Sequence, residues 1–61
     1  MLFRDLLSIC DNRQVIQVVT EAGKLDKKDS VLVLWELDVY FDKVVLGQKL
    51  VGTELHVMLI I

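Results

Sequence analysis

The sequence predicts an α+β domain: a short N-terminal helix packed on a four-stranded, mainly antiparallel sheet, in the order α-β-β-turn-β-β. Three observations predict it. The opening "LFRDLLSIC" spaces Phe3, Leu6, Leu7 and Cys10 at helical intervals. The remainder alternates β-branched runs with glycine turn signals at Gly23 and Gly52. The chain has 61 residues, which allows one domain, residues 1–61, and a single small core.

The first element spans about residues 2–10. Leu2 and Ile9 widen its apolar stripe, Arg4, Asp5 and Ser8 take the other side, and Asp11-Asn12 stop it. So short a helix is stable only when laid on a sheet. "RQVIQVVTE" predicts a strand over about 13–21, closed by the Ala22-Gly23 turn. "KLDKKDS" reads as a charged loop or the start of the next strand. "VLVLWE", residues 31–36, then reads as a strand covered on both faces, because its apolar residues are consecutive.

Asp38 is a candidate N-cap for one helical turn or tight loop over 39–42. "VVLGQKLV" predicts a third strand, bulged or weakened at Gly47. Gly52-Thr53 suits a two-residue hairpin leading into a fourth strand, "ELHVMLII". Alternation in that last strand sets Leu55, Val57, Leu59 and Ile61 on one face and Glu54, His56, Met58 and Ile60 on the other.

Composition narrows the function classes. Apolar residues make up 54% and charged residues 26%, with a mean hydropathy of +0.52. The longest apolar run, Val31 to Trp35, is far short of the roughly 18–20 residues that cross a bilayer. "MLFRDLLSIC" carries an acid and lacks the basic-then-apolar layout of a signal peptide, so the expectation is a cytoplasmic protein. The net charge of −2, with the lysines at 24, 27 and 28 interleaved by Asp26 and Asp29, disfavours direct nucleic-acid binding.

The lone Cys10 excludes an internal disulfide, and with the lone His56 it cannot complete a four-ligand metal site. Cys10 sits on the helix's apolar stripe as a small hydrophobe, with no neighbouring cation to activate it. Glu36, Asp38 and Asp42 lack the glycine and terminal glutamate of a calcium loop, and no glycine-rich phosphate loop occurs. The expectation is a non-enzyme without cofactor or metal.

A chain of this size buries only about 60% of its unfolded surface, and without disulfide or metal it needs oligomerisation. One short helix covers a four-stranded sheet in part, so a second copy is expected on the remaining face, making a homodimer. Trp35, Asp38, Tyr40 and Asp42 are the candidate partner-binding residues: the aromatics supply buried area and the acids a charged rim. Trp35 leans toward a place in the core, Tyr40 is equally open to core and contact, and Phe41 is read as core.

"MLFRDLLSIC-DN", the Ala-Gly turn, "YFDKVV" and the closing "GTELHVML" resemble a group of small proteins, about 60 residues long, from phages and prophages of Gram-positive bacteria. The chain departs from that pattern at "LDKKDSVLVLWELD". The resemblance implies a viral protein acting in the host cell, binding a host protein. Some of these proteins inhibit host defence, CRISPR nucleases included, so an anti-CRISPR-like inhibitor acting by surface occlusion is the leading expectation. Two alternatives stand beside it. One is a dimer that sequesters a nucleotide signal, with Arg13, Lys43 and Lys49 as the available cations; the other is a structural component of the virion.

Overall fold

Two positive-φ glycines set the hairpins from which the sheet is assembled. Gly23 (φ 80°) ends the turn after Thr20, whose N–H bonds the Lys24 carbonyl at 2.9 Å while the Gly23 N–H returns to the Thr20 carbonyl at 2.8 Å. This is a three-residue turn closed by a left-handed glycine. Gly52 (φ 62°) begins a two-residue loop in which Thr53 keeps negative φ, the arrangement that demands glycine at the first loop position.

The computed structural model describes all 61 residues, Met1–Ile61. Helix α1 (Phe3–Ser8) leads into β1 (Val15–Thr20), β2 (Leu25–Ser30), helix α2 (Val31–Leu34) and a 3-10 turn at Asp38–Tyr40, then β3 (Val45–Val51) and β4 (Glu54–Leu59). The sheet order is β2-β1-β4-β3. Both hairpins are antiparallel, and the seam joining them, β1 to β4, is parallel, with Val15 opposite Glu54 and Thr20 opposite Leu59. The predicted helix-on-sheet class is what the chain adopts, and the third and fourth strands pair within it.

One face of the sheet carries the core. Ile16, Val18, Val57 and Leu59 pack with Phe3, Leu6 and Leu7 of α1, with Val31 and Leu34 of α2, and with Tyr40. Helix α1 is shorter than predicted at both ends. At its start the Asp5 carboxylate accepts from the Leu2 N–H, and the backbone N–H of Phe3 and Arg4 reach the carbonyls of Lys43 and Phe41. Tertiary bonds thus satisfy orphan donors that six residues cannot satisfy internally.

The middle of the chain corrects the sequence reading twice. The charged stretch at 25–30 is strand β2, and the apolar run expected to be a strand over 31–36 begins as helix α2. An edge strand has one neighbour and open faces, so β2 needs no apolar side chains, and its charges deter further pairing. In "VLVL" the buried residues are Val31 and Leu34, one helical turn apart, whereas Leu32 and Val33 face out. A strand there would have needed cover on both faces that this small chain does not possess. Ser30 starts the helix, its Oγ accepting from the Val33 N–H at 3.4 Å.

Smaller differences follow at boundaries. Asp38 is the first residue of the 3-10 turn rather than its cap, a position held by Leu37. The last strand ends at Leu59, although the Ile60 N–H still bonds the Val44 carbonyl. The bulge expected around Gly47 is present as a register shift between Val45 and Gly47.

Candidate interaction surface

The connection from α2 to β3 carries the residues singled out by sequence. Trp35 closes α2, its N–H bonding the Val31 carbonyl, and its ring meets Phe41 edge-on at 5.5 Å. Phe41 is half-buried against the core, so the indole rests on an anchored platform while remaining 37% exposed. Asp38 and Asp42 are exposed, and neither joins an ion pair with a basic side chain. Leu32 and Val33 of α2 and Val39 of the connection also present apolar surface to solvent.

Tyr40 is a correction. Expected as a contact residue, it is 7% exposed, belongs to the core, and packs edge-on against Phe3 at 5.9 Å. Its hydroxyl donates to the Asp26 carboxylate of β2, tying the 3-10 turn to the sheet edge. Burial, then the hydrogen bond to that carboxylate and its negative charge, push the phenol up to about 12. The side chain therefore stays a neutral donor and is not free to reach a partner. Periodicity could not single it out, because the 3-10 turn is too short to display any.

The opposite, open face of the sheet holds a feature absent from the sequence reading. Lys28, Gln17, His56 and Lys49 lie side by side, one from each strand, in a polar row. Glu54, one row along, accepts from Lys28 Nζ at 2.9 Å and lies 3.7 Å from His56 Nε2. The Lys28 ammonium holds the Glu54 carboxyl below its ordinary range, with a smaller contribution from His56. Beside this row a shallow groove of about 260 Å³ opens between β3 and β4, floored by Met58 and His56 and flanked by Leu46 and Lys49. Alternation in "ELHVML" signals Glu54, His56 and Met58 on one face; their partner on β2 was hidden because that stretch read as a loop or only the start of the next strand.

Cys10 packs against the core on the helix side, whereas His56 is on the open face, so the two form no nucleophile–base pair. Burial pushes the Cys10 thiol up, which keeps it protonated at neutral pH. No three His, Cys, Asp or Glu side chains gather into a set that could hold a metal ion. No helix is long and apolar enough to cross a membrane.

The three cations named for a nucleotide site do not converge within the chain. Arg13 precedes β1 beside the start of β4, Lys43 precedes β3 beside the end of β4, and Lys49 sits between them on the open face. A comparison with protein-family models, with characterised proteins and with solved structures returned no match in any of the three.

Proposed function

We propose that this chain is a non-enzymatic protein-interaction module that self-associates and occludes a surface of a host protein, in the manner of a small phage-type inhibitor of a defence nuclease. The observation that carries the interaction reading is the imbalance of its apolar residues. Thirteen large hydrophobic side chains are exposed, against ten residues buried in the core. Among the exposed ones, Trp35 stands on Phe41, and the connection that carries Phe41 also exposes the unpaired acids Asp38 and Asp42.

An aromatic anchor with an acidic rim is the composition of a contact patch for a basic surface, such as the channel by which a nuclease holds nucleic acid. The inhibitor part of the proposal draws on the resemblance to phage proteins and on this charge pattern. The two bare acids would steer the approach, and Trp35 would supply the desolvated area.

The test is affinity capture from a Gram-positive host lysate with the wild type and with a triple variant, Trp35→Ala, Asp38→Ala and Asp42→Ala. Tyr40 is left intact because it is core. A defence nuclease retained by the wild type and lost from a folded triple variant is the expected result. Equal retention by both proteins would overturn the assignment of the patch, and capture of no defence component would overturn the inhibitor reading.

A further inference from the structure

Gly47 is a glycine that the fold does not require. It stands opposite Met58 on the open face, at the register shift in the β3–β4 ladder. Its φ is not positive, and an added Cβ would meet nothing within 4 Å, so neither backbone nor packing calls for glycine. A strand glycine costs propensity, and it marks a bulge or a place where another molecule comes close. The bulge is present, but without the left-handed conformation that demands glycine. What the missing side chain leaves is the groove of about 260 Å³ over Met58 and beside Leu46.

The charge bordering the groove is of one sign. Lys49 and His56 are directly opposite one another on β3 and β4, which sets their Cβ atoms roughly 4.5–5.5 Å apart. Lys49 joins no ion pair. Glu54, the carboxylate of this face, is engaged by Lys28 at 2.9 Å and is not among the lining residues. Two lysines against one carboxylate leave the face with a positive surplus, on a chain whose net charge is −2.

We propose that this groove binds a small phosphate monoester. Lys49 Nζ and the His56 imidazole take the phosphoryl oxygens, and the apolar group of the ester lies over Gly47 against Met58 and Leu46. An ammonium offers three donors and an imidazole at least one, which suits an anion with three acceptor oxygens better than a carboxylate with two. The volume is below the roughly 300–1,000 Å³ of pockets that hold drug-sized ligands, so the occupant is a fragment. The site lies on the sheet face away from the helical layer that carries Trp35, and it stands or falls separately from the interaction patch.

Phenyl phosphate is the probe, titrated into the isotopically labelled protein and followed by amide chemical shifts. Saturable changes at Leu46–Lys49, His56 and Met58, and none at Trp35, are expected, with a dissociation constant on the order of 1 mM for so small a ligand. Inorganic phosphate, which lacks the apolar group, and benzoate, which lacks the third oxygen, should each bind more weakly. Gly47→Val fills the groove while keeping both donors, and should abolish binding without lowering the urea midpoint. Lys49→Ala should weaken binding about tenfold, and Lys49→Arg should restore most of it. A phosphotyrosyl peptide should bind no better than phenyl phosphate.

Binding that survives Gly47→Val, or shifts centred elsewhere, would overturn the site. Benzoate binding more tightly than phenyl phosphate would overturn the phosphate assignment, and a peptide bound much more tightly than the free ester would overturn the small-molecule one. Absence of any saturable change would overturn the proposal as a whole. Should Gly47→Val unfold, the Lys49→Ala and Lys49→Arg pair decides the question alone.

Discussion

The two faces of the sheet are supplied by the same strands and differ in almost every physical respect. On the helix side, Ile16, Val18, Val57 and Leu59 are sealed under α1, α2 and Tyr40. On the open side their sequence neighbours Gln17, His56 and Met58 remain half-exposed, with Lys28, Glu54 and Lys49 around them. Strand alternation alone separates the two sets. The lesson is a division of labour: stability is concentrated on one face and the edges of the helical layer, and the other face can change without unfolding the protein.

The largest effects should therefore come from the sealed face. Leu34→Ala removes a fully buried side chain that clamps α2 to the sheet and should cost about 2–5 kcal/mol in urea unfolding. That is a large share of the roughly 5 kcal/mol a domain this small can hold. A cost under about 1 kcal/mol would mean that α2 is not part of the cooperative unit.

Tyr40 tests the boundary between core and surface. Tyr40→Phe keeps the ring against Phe3 but removes the donor to Asp26, a charge-assisted bond worth about 1.5–3 kcal/mol. The phenol also predicts a dependence on pH. Its value in the folded protein lies above the ordinary 10.0, near 12, so folding favours the protonated form. That contribution is complete below pH 10 and is lost as pH rises toward 12. Because the chain has a single tyrosine, tyrosinate absorbance reads the transition directly: a midpoint near 12 when folded and near 10 in urea is expected. Tyr40→Phe should abolish that slope in stability; an unshifted folded midpoint would place the hydroxyl in water.

The smallest effects should come from the open face. Lys28→Ala and Glu54→Gln remove an exposed ion pair, and in high salt neither should move the urea midpoint measurably. A clear loss of stability in either would erase the contrast between the faces.

Much of this contrast was legible in the sequence. Helical spacing in "LFRDLL", the two turn glycines and the alternation in "ELHVML" fixed one helix, both hairpin loops and the inward face of β4. What could not be read was the exchange of roles in the middle. "LDKKDS" has poor strand propensity and "VLVL" good strand propensity, yet the first is paired and the second is helical. Tertiary context outweighed local preference, because only the edge was left for β2 and only a helix could bury Val31 and Leu34 together. Of the four contact candidates, Trp35, Asp38 and Asp42 are exposed, whereas Tyr40 is enclosed. An aromatic in a single 3-10 turn gives no pattern by which burial could be foretold.

The parallel seam between β1 and β4 carries a kinetic consequence. Each hairpin closes locally, a process of microseconds, but partners along the seam are 39 residues apart in the chain, as Val15 and Glu54 are. The search that joins the two halves is the slow event, since loop closure must precede any reward from packing. Val18→Ala and Val57→Ala, which sit on either side of that junction, should therefore slow refolding, whereas changes confined to the outer strands should chiefly hasten unfolding.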